Sequence, residues 1–169
     1  MRFCLIDRIV TCEPGARLLA IKNVTLSEEY LADHFPEFPV LPGVFMLEAL
    51  TQASAWLVRV SDDFSHSIVT LKDARNVKFA GFVSPGSTLD VAVEIRKEDG
   101  RDVHLKCQGR VDDRLAVSGK FVLERRNLAE DDPMMVHLDQ RVIRELRAIY
   151  EILAPGLTKP AAAESVAIA

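Results

Sequence analysis

At residues 34–52 the chain reads HFPEFPVLPGVFMLEALTQ, a proline-rich loop followed by an apolar helix that carries one carboxylate. The three prolines restrict the backbone and favour an extended loop, and Pro42-Gly43 is typical of a helix start. Glu48 follows His34 by fourteen residues and lies in a segment that is otherwise almost wholly apolar. Because a buried charge is costly unless it is paired or used, Glu48 is a candidate functional residue.

The helix that begins in this stretch is predicted to occupy the centre of the fold. From residue 42 to about residue 60, apolar side chains cover nearly every face, and a helix that is apolar all round is a buried helix. Residues 68–80, 89–96, 103–111 and 115–123 follow as strands, most of them with apolar residues alternating with polar ones. A sheet with one apolar face needs an apolar partner. We therefore predict an α+β fold in which an antiparallel sheet wraps around the long helix.

Turn residues separate the predicted strands. Asp99-Gly100 and Asp112-Asp113 mark two hairpin turns, since these residues tolerate the backbone angles that tight turns require. Nearer the N-terminus, residues 17–25 are predicted as the first strand, and Ser27 is predicted to cap a short helix that reaches about His34.

A second amphipathic helix is predicted in the C-terminal part of the chain. Asp132 and Pro133 have the character of a helix cap and a first helical residue, so the helix is placed at about 133–153. Its apolar stripe comprises Met135, Leu138, Val142, Leu146, Ile149, Tyr150 and Leu153. We divide the chain into a domain at residues 1–126 and an extension at 127–169, which ends in a loose tail.

Composition limits the classes of protein that the chain can represent. Its 169 residues suit one domain of ordinary size, with 49% apolar and 27% charged residues and a net charge of −4, and nothing indicates nucleic-acid binding. No apolar run is long enough for a membrane span, and Asp7 comes too early for a signal peptide, so a cytoplasmic protein is predicted. Cys4, Cys12 and Cys107 fit neither a disulfide framework nor a zinc site and are predicted to be buried, reduced thiols.

Residues 34–52 resemble the motif of the 3-hydroxyacyl-acyl carrier protein dehydratases of type II fatty-acid synthesis, which have the hot-dog fold. The matching residues are His34-Phe35-Pro36, Pro39-Val40, Pro42-Gly43-Val44, Glu48-Ala49 and Gln52. A second match comprises Asn76-Val77-Lys78-Phe79, Val83, Pro85-Gly86 and Leu89. With the strand pattern, the resemblance extends to about residue 124 and covers roughly three quarters of the chain.

The resemblance implies a catalytic pair and an oxyanion donor. In this family the position of His34 takes the α-proton of a 3-hydroxyacyl thioester, the position of Glu48 protonates the departing hydroxyl, and the backbone N–H at Gly43 binds the thioester oxygen. The remaining substrate-binding positions are Phe35, Val44 and Gln52, of which Gln52 is expected to orient Glu48. The family has Asp at the acid position in its isomerising branch, so Glu48 argues against isomerase activity.

The resemblance also implies partners. The substrate is an acyl carrier protein that carries a 3-hydroxyacyl phosphopantetheine thioester, and no metal or redox cofactor is implied. His34 of one chain is expected to meet Glu48 of another in a homodimer or in a trimer of dimers. The motif specifies neither the acyl chain length, nor the pathway, nor the choice between acyl carrier protein and coenzyme A.

Elementary chemistry agrees with these assignments. Elimination of water β to a carbonyl needs a base that works near neutral pH, and histidine is the side chain whose ordinary pKa lies there. It also needs an acid for a poor leaving group, and burial among apolar residues can keep a carboxyl protonated. The developing enolate oxygen needs donors, and a helix N-terminus supplies free N–H groups; one such donor can be worth about 3 kcal/mol.

Plainer interpretations of the same residues stay open. His34 is also consistent with an inert loop histidine, and Glu48 with a buried structural acid paired with Gln52. The enzymatic rival is a hot-dog acyl thioesterase, which would use an acid and a water on the same scaffold. The non-enzymatic rival is a module that binds acyl carrier protein without turnover.

Two departures from the family concern substrate choice. Ala80-Gly81-Phe82 stands where the family usually has a basic pair and a proline, near the expected mouth of the pocket. Most members end near residue 127, so the C-terminal helix is additional. We hypothesise that it covers part of the acyl tunnel or its entrance and narrows substrate choice, and that Arg141, Arg144 and Arg147 replace the lost basic docking surface.

Overall fold

The computed structural model describes residues 3–157, which form one six-stranded antiparallel sheet and three α-helices. The strands are β1 (Arg8–Glu13), β2 (Arg17–Asn23), β3 (Ile68–Phe79), β4 (Thr88–Asp99), β5 (Asp102–Val111) and β6 (Arg114–Arg126). The helices are α1 (Tyr30–Asp33), α2 (Gly43–Ser61) and α3 (Val136–Leu153), with 3-10 turns at Leu128–Glu130 and Pro133–Met135 before α3. The strand order is β1-β2-β4-β5-β6-β3, so β1 and β3 are the sheet edges.

Helix α2 is the centre of the fold, as the sequence predicted. It packs against β2, β3, β4, β5 and β6, and the side chains of Leu50, Ala53 and Leu57 are fully buried. The alternating strand residues Val91, Val93 and Leu105 supply the facing part of the core. The prediction of an antiparallel sheet wrapped around a long apolar helix is confirmed.

The hairpin turns also lie where the sequence placed them. Gly100 joins β4 to β5 with a φ of 60°, and Asp112 and Asp113 join β5 to β6 with φ values of 47° and 63°. These left-handed angles favour Gly and Asp over branched side chains.

The N-terminal predictions need correction. The predicted first strand is the second, because Arg8–Glu13 precedes it as β1; only Ile9 of that strand is fully buried, so its apolar alternation is weak. Ser27 does not cap a helix: its hydroxyl lies 2.9 Å from that of Thr25, and α1 begins only at Tyr30.

The prediction that all three cysteines are buried is wrong for two of them. Cys4 is exposed and Cys12 is half-buried, whereas Cys107 is buried in the core. Burial raises the pKa of the Cys107 thiol to about 12, so this side chain is a neutral, apolar packing group at physiological pH.

The additional C-terminal helix is present as α3, and Asp132 accepts a hydrogen bond from the Met134 backbone N–H (2.9 Å) in the turn before it. Its predicted apolar stripe is only partly buried. Leu146, Ile149 and Tyr150 pack against the core and Leu153 is buried, but Met135 and Leu138 are 39% and 42% exposed. The first half of α3 is held instead by a polar contact. The predicted tail lies mostly outside the described residues.

That polar contact centres on Asp139, the one buried carboxylate among residues 3–157. It accepts hydrogen bonds from the Ser67 hydroxyl and from the backbone N–H groups of Leu128 (3.0 Å) and Ala129 (2.9 Å). Burial alone would raise the pKa of the Asp139 carboxyl, but these three donors outweigh it and lower the pKa below its ordinary value. Asp139 therefore fastens α3 and the preceding turn to the start of β3.

We expect Asp139→Asn to lower the free energy of unfolding by about 1–3 kcal/mol, because charge-assisted hydrogen bonds are lost. The ionised carboxylate is the stabilised form, so its contribution is complete above the ordinary carboxyl pKa of about 3.9 and is lost as pH falls through the lower folded value. Urea unfolding at pH 7 and at a series of acidic values measures both effects. Asp131→Asn, at an exposed position, is the control, and an equal loss in both variants would contradict this account.

Candidate active site

His34 directly follows α1 and opens a tightly turned loop. Its ring is half-buried and lies 4.4 Å, between centroids, from the ring of Phe35. Phe35 has a left-handed φ of 53°, and its carbonyl accepts a hydrogen bond from the Phe38 N–H (2.7 Å). A bulky residue rarely adopts such a φ unless its surroundings enforce it, and strained backbone of this kind is concentrated at functional sites.

The loop ends at the start of α2, where two backbone N–H groups have no acceptor within the helix. The Leu41 N–H donates to Val83 (2.8 Å), and the Pro42 carbonyl accepts from the N–H groups of the third and fourth helical residues. The N–H groups of Gly43 and Val44 precede these and have no intrahelical acceptor. They lie at the positive end of the helix dipole, so they could bind an oxyanion.

Gly43 also permits a close packing contact. A Cβ at this position would lie 3.2 Å from the ring of Phe79, at the end of β3. Glycine therefore lets the helix start approach the β3 edge without displacing the aromatic ring.

Glu48 lies on α2, is half-buried and is held by a fixed amide. The Gln52 Nε2 donates to the Glu48 carboxylate (2.9 Å) and to the Phe3 carbonyl (3.1 Å). The Gln52 Oε1 accepts from the Leu5 N–H (2.9 Å). Gln52 is thus restrained through both its amide nitrogen and its amide oxygen, and it orients the Glu48 carboxylate. This contact is as consistent with a structural acid as with a catalytic acid.

Glu48 and Gln52 line a cavity of about 490 Å³. Trp56 and Arg59 continue the same face of α2, and Val142 and Leu146 of α3 contribute to the opposite wall. His34, Phe35, Gly43 and Val44 are not among its lining residues. Within residues 3–157 of one chain, the structure joins Glu48 to Gln52, but His34 does not line the cavity that these two residues share.

Sequence reasoning did not identify Trp56 and Arg59. The signal available was their spacing: positions 48, 52, 56 and 59 lie on one face of a helix. Within an apolar helix, this spacing was indistinguishable from ordinary core packing.

The architecture, a sheet wrapped around a central helix, defines the class of protein. It is the hot-dog fold, which solved structures share at low sequence identity. The dehydratase heterocomplex ApeI:P from Xenorhabdus doucetiae matches with a TM-score of 0.63 and 18% identity over 79% of this chain and 90% of that one. The protein smu.793 from Streptococcus mutans, solved with bound acetyl CoA, matches with a TM-score of 0.56 and 13% identity over 74% of this chain and 92% of that one.

Sequence comparison identifies the family: a family model described as a FabA-like domain matches residues 1–120, and the chain belongs to this family. The 3-hydroxyacyl-[acyl-carrier-protein] dehydratase FabZ of Wolbachia pipientis wMel is 42% identical over 94 residues, which are 56% of this chain and 66% of that protein. FabZ of Ruminiclostridium cellulolyticum is 34% identical over 70% of this chain and 84% of its own length. FabZ of Dechloromonas aromatica is 38% identical over 75% of this chain and 90% of its own length.

Among residues 3–157, no helix combines the length and the apolar character that crossing a bilayer requires.

Proposed function

We propose that the chain catalyses dehydration of 3-hydroxyacyl-acyl carrier protein to trans-2-enoyl-acyl carrier protein in fatty-acid or related lipid biosynthesis. The observation that carries the proposal is Glu48, a carboxylate oriented by Gln52 in a largely apolar cavity, within the His34 to Gln52 motif of a FabA-like chain. FabZ relatives that are 42% and 38% identical to the chain over the aligned residues carry the name 3-hydroxyacyl-[acyl-carrier-protein] dehydratase.

The proposed reaction assigns each group one task. His34 takes the α-proton of the thioester, and negative charge develops on the thioester oxygen. The N–H groups of Gly43 and Val44 stabilise that charge. The enolate electrons then form the double bond as the 3-hydroxyl departs with a proton from Glu48, which releases water. A proton must return from His34 to Glu48 before the next turnover.

We propose that His34 and Glu48 meet across a homodimer. One chain exposes a group of large apolar side chains around the loop and the helix start: Phe35, Phe38, Val44, Phe79 and Phe82, each more than half exposed. Several exposed apolar residues in one region indicate an interaction surface, and β3 beside them is an unpaired sheet edge. A second copy placed on this edge would cover the patch and could bring its His34 to the cavity that contains Glu48. A trimer of dimers would contain the same pair.

We propose that the partner is acyl carrier protein and that the protein is located in the cytoplasm.

Of the three arginines predicted to replace the lost basic surface, two have partners on their own chain. Arg147 pairs with Asp63 (3.2 Å) and lies 4.8 Å above the Phe64 ring, and Arg141 pairs with Glu145 (3.0 Å). The proposal of an arginine docking surface on α3 therefore rests mainly on Arg144.

The test is incubation of the purified protein with 3-hydroxyacyl thioesters of several lengths, on acyl carrier protein and on coenzyme A, followed by mass spectrometry. A loss of one water from the thioester supports the dehydratase. Release of free acid would support the thioesterase instead, and tight carrier binding without product would support the binding module.

We expect Gln52→Met to lower kcat about ten-fold, because Glu48 loses the donor that orients it, worth about 1.4 kcal/mol. KM should change less than kcat, since Gln52 acts through Glu48 rather than on the substrate. Initial rates and their pH dependence measure this, and a changed pH profile separates positioning from a loss of folded protein. Gln140→Met, at an exposed position on α3, is the matched control. An unaltered kcat and pH profile in Gln52→Met would contradict the positioning role.

A further inference from the structure

Arg59 lies at the far end of the cavity that contains Glu48. The two residues are eleven positions apart on α2, which places them about 16 Å apart along the helix axis. Trp56 lies between them, and its ring centroid is 5.4 Å from the Arg59 guanidinium carbon. The cavity therefore has a carboxylate at one end, mostly apolar walls and a guanidinium at the other end.

Arg59 is half-buried, and its guanidinium lacks a full set of partners. Within residues 3–157 its Nε is inaccessible to solvent and has no hydrogen-bond partner. Burial lowers the pKa of Arg59 to about 10, so the group stays protonated at neutral pH. A buried charged donor is costly when it is unsatisfied, and such groups in native proteins commonly mark a function.

The carboxylates that share the cavity are engaged elsewhere. Glu48 accepts a hydrogen bond from Gln52, and Glu145 accepts one from Arg141. Neither contributes to the pKa change of Arg59, whose cause is burial. The Nε is enclosed by protein, so a molecule in the cavity would have to accept from the outer N–H groups of the guanidinium.

We propose that the cavity binds an acyl chain whose distal end carries an oxygen acceptor for Arg59. This inference rests on the proposed dehydratase function and specifies its substrate class. The methylene groups would pack against Trp56 and the α3 residues Val142 and Leu146, while a terminal hydroxyl or carboxylate would accept from the guanidinium. A chain that ends in a methyl group would place an apolar group against this cation and leave its outer N–H groups without an acceptor, which is the kind of loss that gives strong discrimination.

The experiment compares 3-hydroxyacyl-acyl carrier proteins of equal length that end in methyl, hydroxyl or carboxylate, across a series of lengths. We expect kcat/KM to favour an oxygen-terminated chain by about ten-fold or more at the length that reaches Arg59. Arg59→Met, which is similar in length and apolar, should abolish the preference. Arg114→Met, at an exposed position, should retain it. Equal rates in the wild type, or an unchanged preference in Arg59→Met, would overturn the inference and leave the dehydratase proposal intact.

A binding measurement separates the two proposals. Thermal unfolding is recorded with neutral N-acetylcysteamine thioesters that end in methyl or hydroxyl. Greater stabilisation by the hydroxyl-ended thioester in the wild type, but not in Arg59→Met, would support the distal acceptor even if no substrate is dehydrated. Equal stabilisation by both thioesters would overturn it. Absence of turnover with every substrate would count against the proposed function alone.

Discussion

His34→Ala is expected to lower kcat for water loss by about 10²–10⁴-fold, the contribution typical of a general acid or base. Glu48→Gln should have an effect of similar size, because the amide keeps the shape of the side chain and its contact with Gln52 but cannot supply the proton to the leaving hydroxyl. Thioester binding should change much less than turnover, since neither variant removes the cavity walls.

Initial rates of enoyl product formation measure these losses. His137→Ala and Glu37→Gln are matched controls at exposed positions and should retain wild-type rates. A Glu48→Gln variant with full activity would contradict the catalytic role and support the structural interpretation, in which Glu48 only pairs with Gln52.

The second large effect concerns the centre of the fold. Leu57→Ala is expected to lower the free energy of unfolding by about 2–5 kcal/mol, because Leu57 is fully buried on α2 between the helix and the sheet and its truncation leaves a cavity. Urea unfolding followed by circular dichroism measures the change.

Leu26→Ala is the control for this truncation. It removes the same atoms from a side chain that is 72% exposed, so the free energy of unfolding should fall by no more than about 0.5 kcal/mol. An equal decrease in the free energy of unfolding for the two variants would contradict the placement of α2 in the core.

The parts of the fold that were predictable from sequence are those with strong local patterns. Helix α2 is apolar on nearly every face, and β4, β5 and β6 alternate clearly between turns whose residues favour left-handed angles. Strand β1 was missed because only Ile9 is fully buried, which leaves little alternation to detect. The predicted cap at Ser27 was wrong: its hydroxyl contacts that of Thr25, and the neighbouring Glu28 pairs with Lys22 (2.7 Å), a contact between segments that no local pattern reveals.

The candidate site divides in the same way. His34 and Glu48 were predictable from the motif and its family resemblance. The cavity that surrounds Glu48 was not, because it depends on tertiary contacts. Arg59 near the end of a helix has the sequence character of a solvated cation, and it is half-buried because the N-terminal segment and α3 pack over α2. Asp139 was missed for the same reason, since its donors come from Ser67 and from the turn before α3.

The central claim is that His34 of one chain acts with Glu48 of another. The most direct test mixes the two inactive variants, His34→Ala and Glu48→Gln, by coexpression and measures water loss from a 3-hydroxyacyl-acyl carrier protein. In a symmetric dimer, a mixed pair has one site with both residues intact, so random mixing should restore about a quarter of wild-type activity. Activity no higher than that of either variant alone, in a sample shown to contain mixed dimers, would contradict the shared site.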